Sequence, residues 1–500
     1  MVDNVLKYLE NAVNKWPNRV AFSDEKTSIT FTTLYDTVRG IGSAVAECTR
    51  PRQPVAVLMN DRNVQCVAGL LGVLYAGCPY APLDIAMPTE RLQIILDQLK
   101  PAAILCDEST YASVMRANIT CPVLTAEAAA CHQIDENHLA AIRSQTSIYD
   151  ILSILYTSGS TGIPKGVAQS QFSYIMYTEA TVEKYSFTQE TIFGNQSPFF
   201  YANSIIDIYP PLLLGATVYI LPAQCLSFPK VLVEHLCKHR ITELTMTPSS
   251  YIKAAQAGVL KEGCLPDLKY IILSGEAAHW QTLQKWMAAA PNAGVWNFYG
   301  STEVFSVAVW CIDQEFSDDE VIPVGLPYKE VEILIVDENG EQLPRGERGE
   351  MLIANPWLCS GYYLDTERTQ EAFVIDPLDR GYYTRYYRTG DIGCISEEGV
   401  LTVLGRKDSQ IKRGGYRMEI GEVEVALRKI PGWKNGCVLY DQEQEKLCCF
   451  WEGSLTQKEI QSALRKQLPR YALPDTFIHV EALPYTATMK LNREMLRKMI

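Results

Sequence analysis

The sequence predicts an α/β fold. A large N-terminal part has mixed, largely parallel sheets flanked by helices, and a β-rich segment and a small α+β part follow it. Three observations support this prediction. Short β-branched runs alternate with longer helical patterns through most of the chain, the pattern changes after about residue 322, and a small mixed pattern begins near residue 405. A chain of 500 residues is also too long for one hydrophobic core.

The N-terminal elements follow from short apolar runs, which have the length of buried strands, and from longer runs, which are typical of the helices between them. The predicted strands are Val55–Leu58, Ala103–Cys106, Ile151–Tyr156, Thr217–Leu221 and Tyr270–Leu273. The predicted helices are Val64–Ala76, Phe228–His239 and Trp280–Ala290. This alternation favours largely parallel sheets.

Beyond residue 322 the elements become shorter. Val331–Val336, the turn 337-DENGE-341 and Gly349–Ile353 predict a β-hairpin. The last predicted elements are helices at Ile420–Lys429 and Gln457–Leu468 and strands at Cys437–Tyr440 and Leu447–Trp451. We expect a boundary near Arg406–Asp408, which divides the chain into residues 1–406 and 407–500.

Composition argues against several classes of protein. The net charge of −13 argues against a nucleic-acid partner, because phosphate binding needs clustered Lys and Arg. The fifteen cysteines form no Cys-x-x-Cys pair and lie in apolar surroundings, which is typical of a reducing, cytoplasmic compartment. The first ten residues contain no apolar signal core, and no run approaches about 20 apolar residues, so we expect no membrane partner.

The segment 156-YTSGSTGIPKG-166 directly follows the predicted strand Ile151–Tyr156. Its glycines let backbone N–H groups approach an anion closely, its hydroxyls add donors, and Lys165 adds a charge. The segment therefore predicts a cradle for a triphosphate, although it is not the GxxxxGK[ST] pattern of Walker-type loops. The alternative is a flexible Ser/Gly linker, but linkers do not usually follow a buried strand.

Further motifs recur in order along nearly the whole chain. They are 71-LGVLYAGCPYAPLD-84, 297-NFYGSTE-303, 387-YRTGD-391, 405-GRKDSQIKRGGYRME-419, 468-LPRYALP-474 and 484-PYTATMKLNRE-494. Together with the Ser/Gly segment they resemble the adenylate-forming superfamily, which includes acyl-CoA synthetases, luciferases and the adenylation domains of nonribosomal peptide synthetases. The resemblance implies a large N-terminal domain, a small mobile C-terminal domain and an active site between them. It also implies that a carboxylate and MgATP react to give an acyl adenylate and pyrophosphate.

The resemblance assigns the phosphates and the metal to named positions. The residues that would hold the β- and γ-phosphates are Thr157, Ser158, Gly159, Ser160, Thr161, Gly162 and Lys165. Thr302 would contact the α-phosphate, and Glu303 would bind Mg²⁺, which prefers hard oxygen ligands. Asn297 and Tyr299 would contact adenine, Asp391 would accept both ribose hydroxyls, and Arg406 would add a ribose or phosphate contact. Gly275 and Glu276 are two further ATP-binding positions.

Two residues of the C-terminal part complete the implied machinery. Lys490 would bridge the substrate carboxylate and the phosphate as charge develops in the first half-reaction. Asp408 would be the hinge about which the C-terminal domain turns between adenylation and thioester formation. The segment around Lys490 reads TMKLNRE, where the family usually has NGKxDR. Gly414 stands where the carrier-loading branch often has Arg, so that Arg's role is not carried over.

The acid pocket departs from the amino-acid-activating pattern FDxS, whose Asp pairs with the substrate α-ammonium. Aligned on 207-DIYPPLLLGA-216, this sequence has 201-YANS-204, with Ala202 at the Asp position. An ordinary α-amino acid is therefore disfavoured, because its buried ammonium would lack a charge partner. The pocket positions implied by the resemblance are Tyr201, Ala202, Asn203, Ile206, Thr245, Ile272, Ser274, Phe298, Ser306 and Val307. Their neutral character suits an aryl, keto or hydroxy acid or a small fatty acid. The alternative is that a residue elsewhere supplies the missing charge.

The acceptor is inferred from the hinge region. Asp408 and 419-EIGEVE-424 are closer to adenylation domains and to the D-alanine-activating ligases of cell-wall teichoic acid than to acyl-CoA synthetases. No phosphopantetheine attachment motif is present in the sequence, so we expect a separate holo carrier protein as the partner. Coenzyme A is the alternative acceptor.

Two other interpretations are weaker. His235 and His239 have an i,i+4 spacing that could hold a metal, but no third ligand is evident, so we expect a surface or packing role. A non-catalytic nucleotide-binding scaffold is the alternative from a different class. The presence of Lys165, Glu303, Asp391 and Lys490 argues against it.

Overall fold

The structure is a computed structural model that describes residues 2–60, 62–158, 163–276, 278–317, 320–381, 383–407, 410–441, 444–484 and 493–500. The helices found there are α1 (Leu6–Lys15), α2 (Phe31–Cys48), α3 (Val64–Tyr75), α4 (Thr89–Leu99), α5 (Glu108–Val114), α6 (Ala126–Ala130), α7 (Glu136–Gln145), α8 (Gln171–Tyr185), α9 (Tyr209–Leu214), α10 (Gln224–Ser227), α11 (Pro229–Lys238), α12 (Pro248–Gln256), α13 (Trp280–Ala289), α14 (Thr366–Ala372), α15 (Ile420–Arg428), α16 (Gln457–Gln467) and α17 (Arg493–Arg497). Short 3₁₀ helices cover Ala202–Asp207 and Arg470–Ala472.

The strands within the described residues fall into five sheets. They are β1 (Val20–Ser23), β2 (Ser28–Thr30), β3 (Val55–Leu58), β4 (Tyr80–Pro82), β5 (Ala103–Cys106), β6 (Val123–Thr125), β7 (Ile151–Thr157), β8 (Lys165–Ser170), β9 (Ile192–Asn195), β10 (Thr217–Ile220), β11 (Glu243–Met246), β12 (Tyr270–Ser274), β13 (Gly294–Ser301), β14 (Phe305–Cys311), β15 (Leu326–Pro327), β16 (Glu332–Val336), β17 (Gly349–Ala354), β18 (Gly361–Tyr362), β19 (Phe373–Ile375), β20 (Arg385–Ile395), β21 (Leu401–Arg406), β22 (Gln410–Arg413), β23 (Tyr416–Glu419), β24 (Asn435–Asp441), β25 (Lys446–Glu452) and β26 (Thr476–His479).

Two large sheets form the N-terminal part. Over the described residues, one has nine strands in the order β15-β14-β13-β12-β11-β9-β10-β1-β2, and the other has seven in the order β18-β8-β7-β4-β3-β5-β6. Their central pairs are parallel, such as β11 with β12 and β3 with β5, and antiparallel pairs lie at the edges. The predicted α/β class with largely parallel sheets is therefore confirmed.

A layer of helices packs between strands of the two sheets. Phe31 and Ile41 of α2 are fully buried in the same cluster as Val55 of β3 and Val218 of β10. Val55 and Val218 belong to the apolar runs from which their strands were predicted, and burial in one core explains those runs. Helix α2 was not predicted from the sequence. Among the residues described, none of the helices combines the length and the apolar character that a membrane crossing requires.

The β-rich segment differs from the predicted hairpin in its turn. β16 and β17 pair antiparallel as expected, with Val336 opposite Glu350. The turn 337–341, however, closes locally and does not join the two strands. The Asp337 carboxylate accepts hydrogen bonds from the N–H groups of Asn339 and Glu341, and Val336 bridges to Gln342. Such side-chain capping satisfies the backbone within the turn, so the chain needs residues 343–348 to reach β17.

The C-terminal part forms a mixed unit with the predicted helices and strands. β24 pairs antiparallel with β25 and β25 parallel with β26, while α15 and α16 bury Val423, Leu427, Ile460 and Leu464 in one cluster with Val438. The small β22–β23 hairpin projects from this unit, and its residues contact the N-terminal part at the site described below. The division into residues 1–406 and 407–500 stays a prediction.

Candidate active site

The predicted ATP-binding and acid-binding residues lie around the carboxyl ends of strands from both large sheets. Thr157 ends β7, Ser274 ends β12, and Phe298 lies near the end of β13. Ligands of open α/β sheets bind at this edge. Two cavities lie there: one is lined by Lys165, Arg406 and Arg417, and the other is lined by residues of both sheets and of the β22–β23 hairpin. The predicted site residues that line this second cavity are Thr157, Ser158, Tyr201, Ala202, Asn203, Ser274, Gly275, Phe298, Thr302 and Ser306.

The Ser/Gly segment connects the antiparallel strands β7 and β8. The last pair of β7 and β8 is Thr157 with Lys165, so both ends of the loop are fixed in the sheet. The Ser158 hydroxyl donates a 2.7 Å hydrogen bond to the backbone carbonyl of Arg417. The Lys165 ammonium donates hydrogen bonds to Glu303 Oε1 at 3.1 Å and to the Tyr362 hydroxyl at 2.9 Å. Gly159, Ser160, Thr161 and Gly162 lie outside the described residues.

Glu303 is the electrostatic centre of the site. It is fully buried, and besides Lys165 it accepts hydrogen bonds from Arg417 at 2.5 Å and from the Tyr362 hydroxyl at 3.0 Å. Burial alone would raise the pKa of the Glu303 carboxyl, but the charges of Arg417 and Lys165 outweigh burial and hold the pKa well below its ordinary value. Burial lowers the pKa of Lys165, and the Glu303 charge opposes that effect. Glu303 is therefore an ionised carboxylate balanced by two cations.

The surroundings of Glu303 fit a divalent cation, provided that Arg417 moves away from the carboxylate. A buried, ionised carboxylate is a suitable hard ligand for Mg²⁺, which takes few protein ligands and keeps waters and substrate phosphates. Arg417, however, occupies one Glu303 oxygen in the arrangement seen here. Glu303 could hold Mg²⁺ beside the phosphates once Arg417 has moved away.

The predicted adenosine residues lie close together. The Tyr299 hydroxyl donates a hydrogen bond to Asp391 Oδ2, and Arg406 donates to Asp391 Oδ1 at 2.7 Å. The Asn297 side-chain amide donates to the carbonyl of Pro323 at 2.9 Å. The Lys412 ammonium lies 5.5 Å from the Tyr299 ring, which is the ring face predicted to contact adenine. Burial lowers the pKa of Lys412, with the charge of Asp391 opposing that effect.

The β22–β23 hairpin fills part of the site. Its turn, Gly414–Gly415, has positive φ at both residues, as a two-residue hairpin turn requires. The Gly415 N–H donates a 2.7 Å hydrogen bond to Glu276 Oε1, and a Cβ on Gly415 would lie 2.5 Å from Thr247 Cγ2. The close approach of this turn to the N-terminal part therefore depends on glycine. Behind the hairpin, Arg91 of α4 forms a buried ion pair with Glu422 of α15.

The acid pocket contains most of the predicted side chains, but not all of them face the cavity. Ala202, Asn203, Ser274, Phe298 and Ser306 line it, and Tyr201 lines it with its ring 5.0 Å from that of Tyr416. The Ser274 hydroxyl donates to Asn203 Oδ1 at 3.4 Å. Four predicted residues are buried but do not line the cavity; they are Ile206, Thr245, Ile272 and Val307.

Several neighbours of this site were not assigned to ATP or acid binding from the sequence. Arg417 and Lys412 lie within the quoted motif 405–419, so their proximity to a motif was a usable signal. Tyr362 gave no local signal, because the pairing of β18 with β8 places it beside Lys165 from far along the chain. Lys490 and Asp408 lie outside the described residues. His235 accepts or donates a 3.0 Å hydrogen bond with the Tyr219 hydroxyl and stacks near His239. Within the described residues, no cluster of three or more His, Cys, Asp or Glu side chains is arranged to hold a metal ion.

Known proteins resemble this chain in sequence and in fold. Residues 9–363 match the family described as AMP-binding enzyme. The chain is 32% identical over 501 residues to the D-alanine–D-alanyl carrier protein ligase of Bacillus velezensis, and the match covers 96% of each protein. It superimposes on the Vibrio cholerae adenylation domain AlmE, solved with glycyl-adenosine-5'-phosphate, with a TM-score of 0.85 and 21% identity over 100% of this chain and 98% of that chain.

A second solved structure, the artificially fused adenylation–PCP di-domain NpsA-ThdA from Klebsiella oxytoca, gives a TM-score of 0.83 and 21% identity over 95% of this chain and 94% of that chain. At these identities the structural matches speak for the fold alone, and they confirm the mixed α/β architecture with a C-terminal subdomain. The family match and the sequence identity go further, and they confirm the resemblance inferred from the motifs. The chain therefore belongs to the AMP-binding family of adenylate-forming ligases, whose members use ATP.

Proposed function

We propose that the protein converts a small carboxylic acid without an ordinary α-amino group into its acyl adenylate, and then passes the acyl group to the phosphopantetheine thiol of a separate carrier protein. The observation that supports this most is that Thr302 and Arg417, which flank the buried Glu303–Lys165 pair, line the same cavity as Ala202 and Asn203. A phosphate-binding charge arrangement and an acid pocket at one sheet edge are what the reaction needs.

The first step is a displacement at phosphorus. The substrate carboxylate attacks the α-phosphorus of ATP, the bond to the bridging oxygen breaks, and pyrophosphate leaves. Lys165 and the Ser/Gly loop would hold the β- and γ-phosphates, and Thr302 would donate to the α-phosphate. Mg²⁺, held by Glu303, would supply neutralising charge at the phosphates. Catalysis would rest on positioning and on charge stabilisation.

The second step is attack of the thiol on the adenylate carbonyl carbon, which releases AMP. The two steps would use different positions of the C-terminal part, with Asp408 as the hinge. In one position Lys490 would reach the reacting carboxylate. In the other the β22–β23 hairpin would contact the site, as Arg417 does at Glu303 here. Because Arg417 and Mg²⁺ would compete for the same carboxylate, the hairpin must withdraw before MgATP binds.

The choice of acid rests on Ala202. An α-ammonium against this methyl group would lose a charge partner, which costs several kcal/mol. The relatives named as D-alanine–carrier protein ligases support carrier loading and also keep an amino-acid substrate as the alternative. Release of the acyl group to coenzyme A is the alternative for the acceptor.

The test is acid-dependent exchange of labelled pyrophosphate into ATP, run with a panel of aryl, keto, hydroxy, fatty and α-amino acids. We expect exchange with at least one acid that lacks an α-amino group, and subsequent acylation of a holo carrier protein. Exchange with α-amino acids alone would contradict the proposed substrate class. Acylation of coenzyme A but of no carrier protein would contradict the proposed acceptor, and ATP binding without any exchange would indicate a scaffold.

A further inference from the structure

Two carboxyl groups lie buried beneath the acid pocket. Asp207 ends the 3₁₀ helix that carries Ala202 and Asn203, and Glu243 begins β11. Both residues are fully buried. Within the described part of the chain neither forms an ion pair with a basic side chain, although buried carboxylates normally have one.

The sheet register places Glu243 below the pocket. Thr245 lies opposite Ile272, and Glu243 lies opposite Tyr270, so Glu243 and Thr245 share the face that carries Ser274 two residues further along β12. The Thr245 hydroxyl donates a 2.6 Å hydrogen bond to Glu243 Oε1, which brings the carboxyl up to the level of Thr245. That level is about 7 Å below Ser274, which lines the cavity, at about 3.3 Å per residue.

Asp207 lies on the other side of the pocket floor from Glu243. Its Oδ2 accepts a 2.9 Å hydrogen bond from the side-chain amide of Asn195 in β9. Burial and, to a smaller extent, the Asp207 charge raise the pKa of Tyr177, whose side chain lines the cavity. Burial raises the pKa of both carboxyls, and the charge of Asp207 raises that of Glu243 further. The two carboxyls are therefore neighbours of each other and of the cavity floor.

The polar atoms around this pair are unsatisfied. Asp207 Oδ1, Glu243 Oε2 and Asn195 Oδ1 are buried acceptors without a hydrogen-bond partner among the described residues. The buried Tyr185 hydroxyl of α8, which lies near enough for the Glu243 charge to act on it, has no partner there either. Buried polar atoms are nearly always paired, so such a concentration at one place indicates a polar ligand.

The three unpaired acceptor oxygens match the three N–H donors of an ammonium group. An ammonium carries three N–H donors and one positive charge, whereas a hydroxyl carries a single donor. An ammonium between Asp207 and Glu243 would pair with a charge and satisfy the acceptors together. The α-carbon position next to Ala202 offers no such partner, because the carboxyls lie about two residues deeper along the strand.

We propose that the substrate is a carboxylic acid with a basic nitrogen several bonds from the carboxyl group, and that Asp207 and Glu243 bind this nitrogen as an ammonium. This inference rests on the proposed adenylation of an acid in this pocket. In this proposal Asp207 and Glu243 provide the charge partner that Ala202 cannot provide. This explains why a relative of amino-acid ligases has no acidic residue at position 202.

The first experiment compares matched acids in the pyrophosphate-exchange assay. The probes are 4-aminobutanoate, 4-hydroxybutanoate, butanoate and 2-aminobutanoate, with 5-aminopentanoate and 4-aminobenzoate against pentanoate and benzoate to vary the span. We expect at least one distal amino acid to exceed its unaminated counterpart and the α-amino isomer in kcat/KM by about 10²-fold. Equal or better exchange with the unaminated acids or with the α-amino isomer would overturn the inference while leaving adenylation itself intact.

The second experiment replaces one carboxyl group at a time with an amide of nearly the same shape. Glu243→Gln and Asp207→Asn should each lower the preference for the amino acid over its unaminated counterpart at least tenfold. Asp107→Asn, at a buried carboxyl that caps α5 and does not line the cavity, is the matched control and should leave that preference unchanged. Unchanged preference in both pocket variants would overturn the inference.

A binding measurement separates this inference from the proposed function. Calorimetry with the full-length protein and the best distal amino acid requires no turnover. We expect binding that weakens at least tenfold in Glu243→Gln. If no acid supports exchange, the proposed function fails, but amine binding that depends on Glu243 would still support the pocket assignment. Absence of binding by any distal amino acid would overturn it.

Discussion

At the scale of single residues, the buried carboxyl groups of the site differ in whether a positively charged side chain lies beside them. Glu303 is buried with two cations, and Lys165 and Arg417 have that carboxylate in common. Asp207 and Glu243 are buried without any cation in the described residues. We propose the first arrangement as the position for phosphate and metal, and the second as the site that binds a ligand's ammonium.

Glu303→Gln should destabilise the protein, because Lys165 and Arg417 would lose their shared partner. Breaking a buried pair costs about 3–5 kcal/mol. The pKa of Glu303 is held below its ordinary value, so its stabilisation is present above the unfolded pKa, near 4.3, and is lost as pH falls through the lower folded pKa. Denaturant unfolding should therefore show a constant difference between variant and wild type above about pH 5.5, which shrinks below about pH 4. A difference that persists unchanged into the acid range would contradict the charge assignment.

Ala202→Asp should shift the preference toward α-amino acids. The new carboxylate would offer an α-ammonium the partner that the methyl group lacks, a gain of at least tenfold in relative kcat/KM. Exchange with 2-aminobutanoate against butanoate measures it. Ala202→Asn, which adds similar bulk without charge, is the control and should give no such shift. An unchanged ratio in Ala202→Asp would mean that the alignment of 201-YANS-204 is wrong.

At the scale of elements, a feature could be predicted from the sequence when neighbouring residues determine it, and not when it depends on residues far apart in the chain. The strands at Val55–Leu58 and Ala103–Cys106 were predicted with their observed bounds, because burial on both faces imposes a local apolar run. The turn at 337–341 was placed correctly but its connection was not, because Asp337 closes it within five residues. Tyr362 beside Lys165 depends on a strand pairing across nearly 200 residues, which no local pattern encodes.

The site followed the same rule. Residues inside motifs, such as Thr302 and Phe298, lie at the cavity because a resemblance carries three-dimensional information. Arg417 at Glu303 depends on how the C-terminal part docks, and the Asp207–Glu243 pair depends on the register of β11. Both contacts depend on long-range packing, and no local pattern in a single sequence predicts such packing.

Gly215→Ala tests the packing of the helix that follows the acid-pocket segment. Gly215 ends α9 with φ +68°, and a Cβ there would lie 2.0 Å from the Trp16 ring. The left-handed conformation costs a side chain about 1 kcal/mol, and overpacking adds about 1–3 kcal/mol. Gly258→Ala has φ +67° and nothing within 4 Å of the added Cβ, so it isolates the conformational cost alone. Denaturant unfolding should show a clearly larger loss for Gly215→Ala, and equal losses would rule out the clash.

At the scale of the whole molecule, the proposed function depends on two positions of the C-terminal part. The arrangement seen here joins the parts through Arg91–Glu422, Ser158–Arg417 and Gly415–Glu276. It places Arg417 on the carboxylate that adenylation would need for Mg²⁺. This arrangement therefore suits the step after pyrophosphate has left better than the step before.

Lys490→Ala should abolish adenylation while leaving a preformed adenylate usable. Loss of one preorganised donor to the developing charge lowers the rate on the order of 10²–10³-fold. Pyrophosphate exchange measures the first step, and carrier acylation from synthetic acyl adenylate measures the second. Lys498→Ala is the control for a nearby lysine. Equal loss of both steps in Lys490→Ala would contradict the use of two domain positions.

Arg91→Met should weaken the docked arrangement, because Glu422 would be left buried and unpaired. We expect faster proteolytic cleavage in the segment near residue 407 and a larger fall in carrier acylation from preformed adenylate than in exchange. Lys230→Met, which removes an exposed i,i+4 pair, should change neither property. Cleavage at the wild-type rate would show that the pair does not hold the two parts together.

The most direct measurement follows an oxygen atom. An acid that supports exchange is labelled with ¹⁸O in its carboxylate, and the products of acyl transfer to the thiol are examined by mass spectrometry. If the carboxylate attacks the α-phosphorus, one labelled oxygen must appear in AMP and none in pyrophosphate. Label in inorganic phosphate, or AMP without label, would contradict the formation of an acyl adenylate in this site.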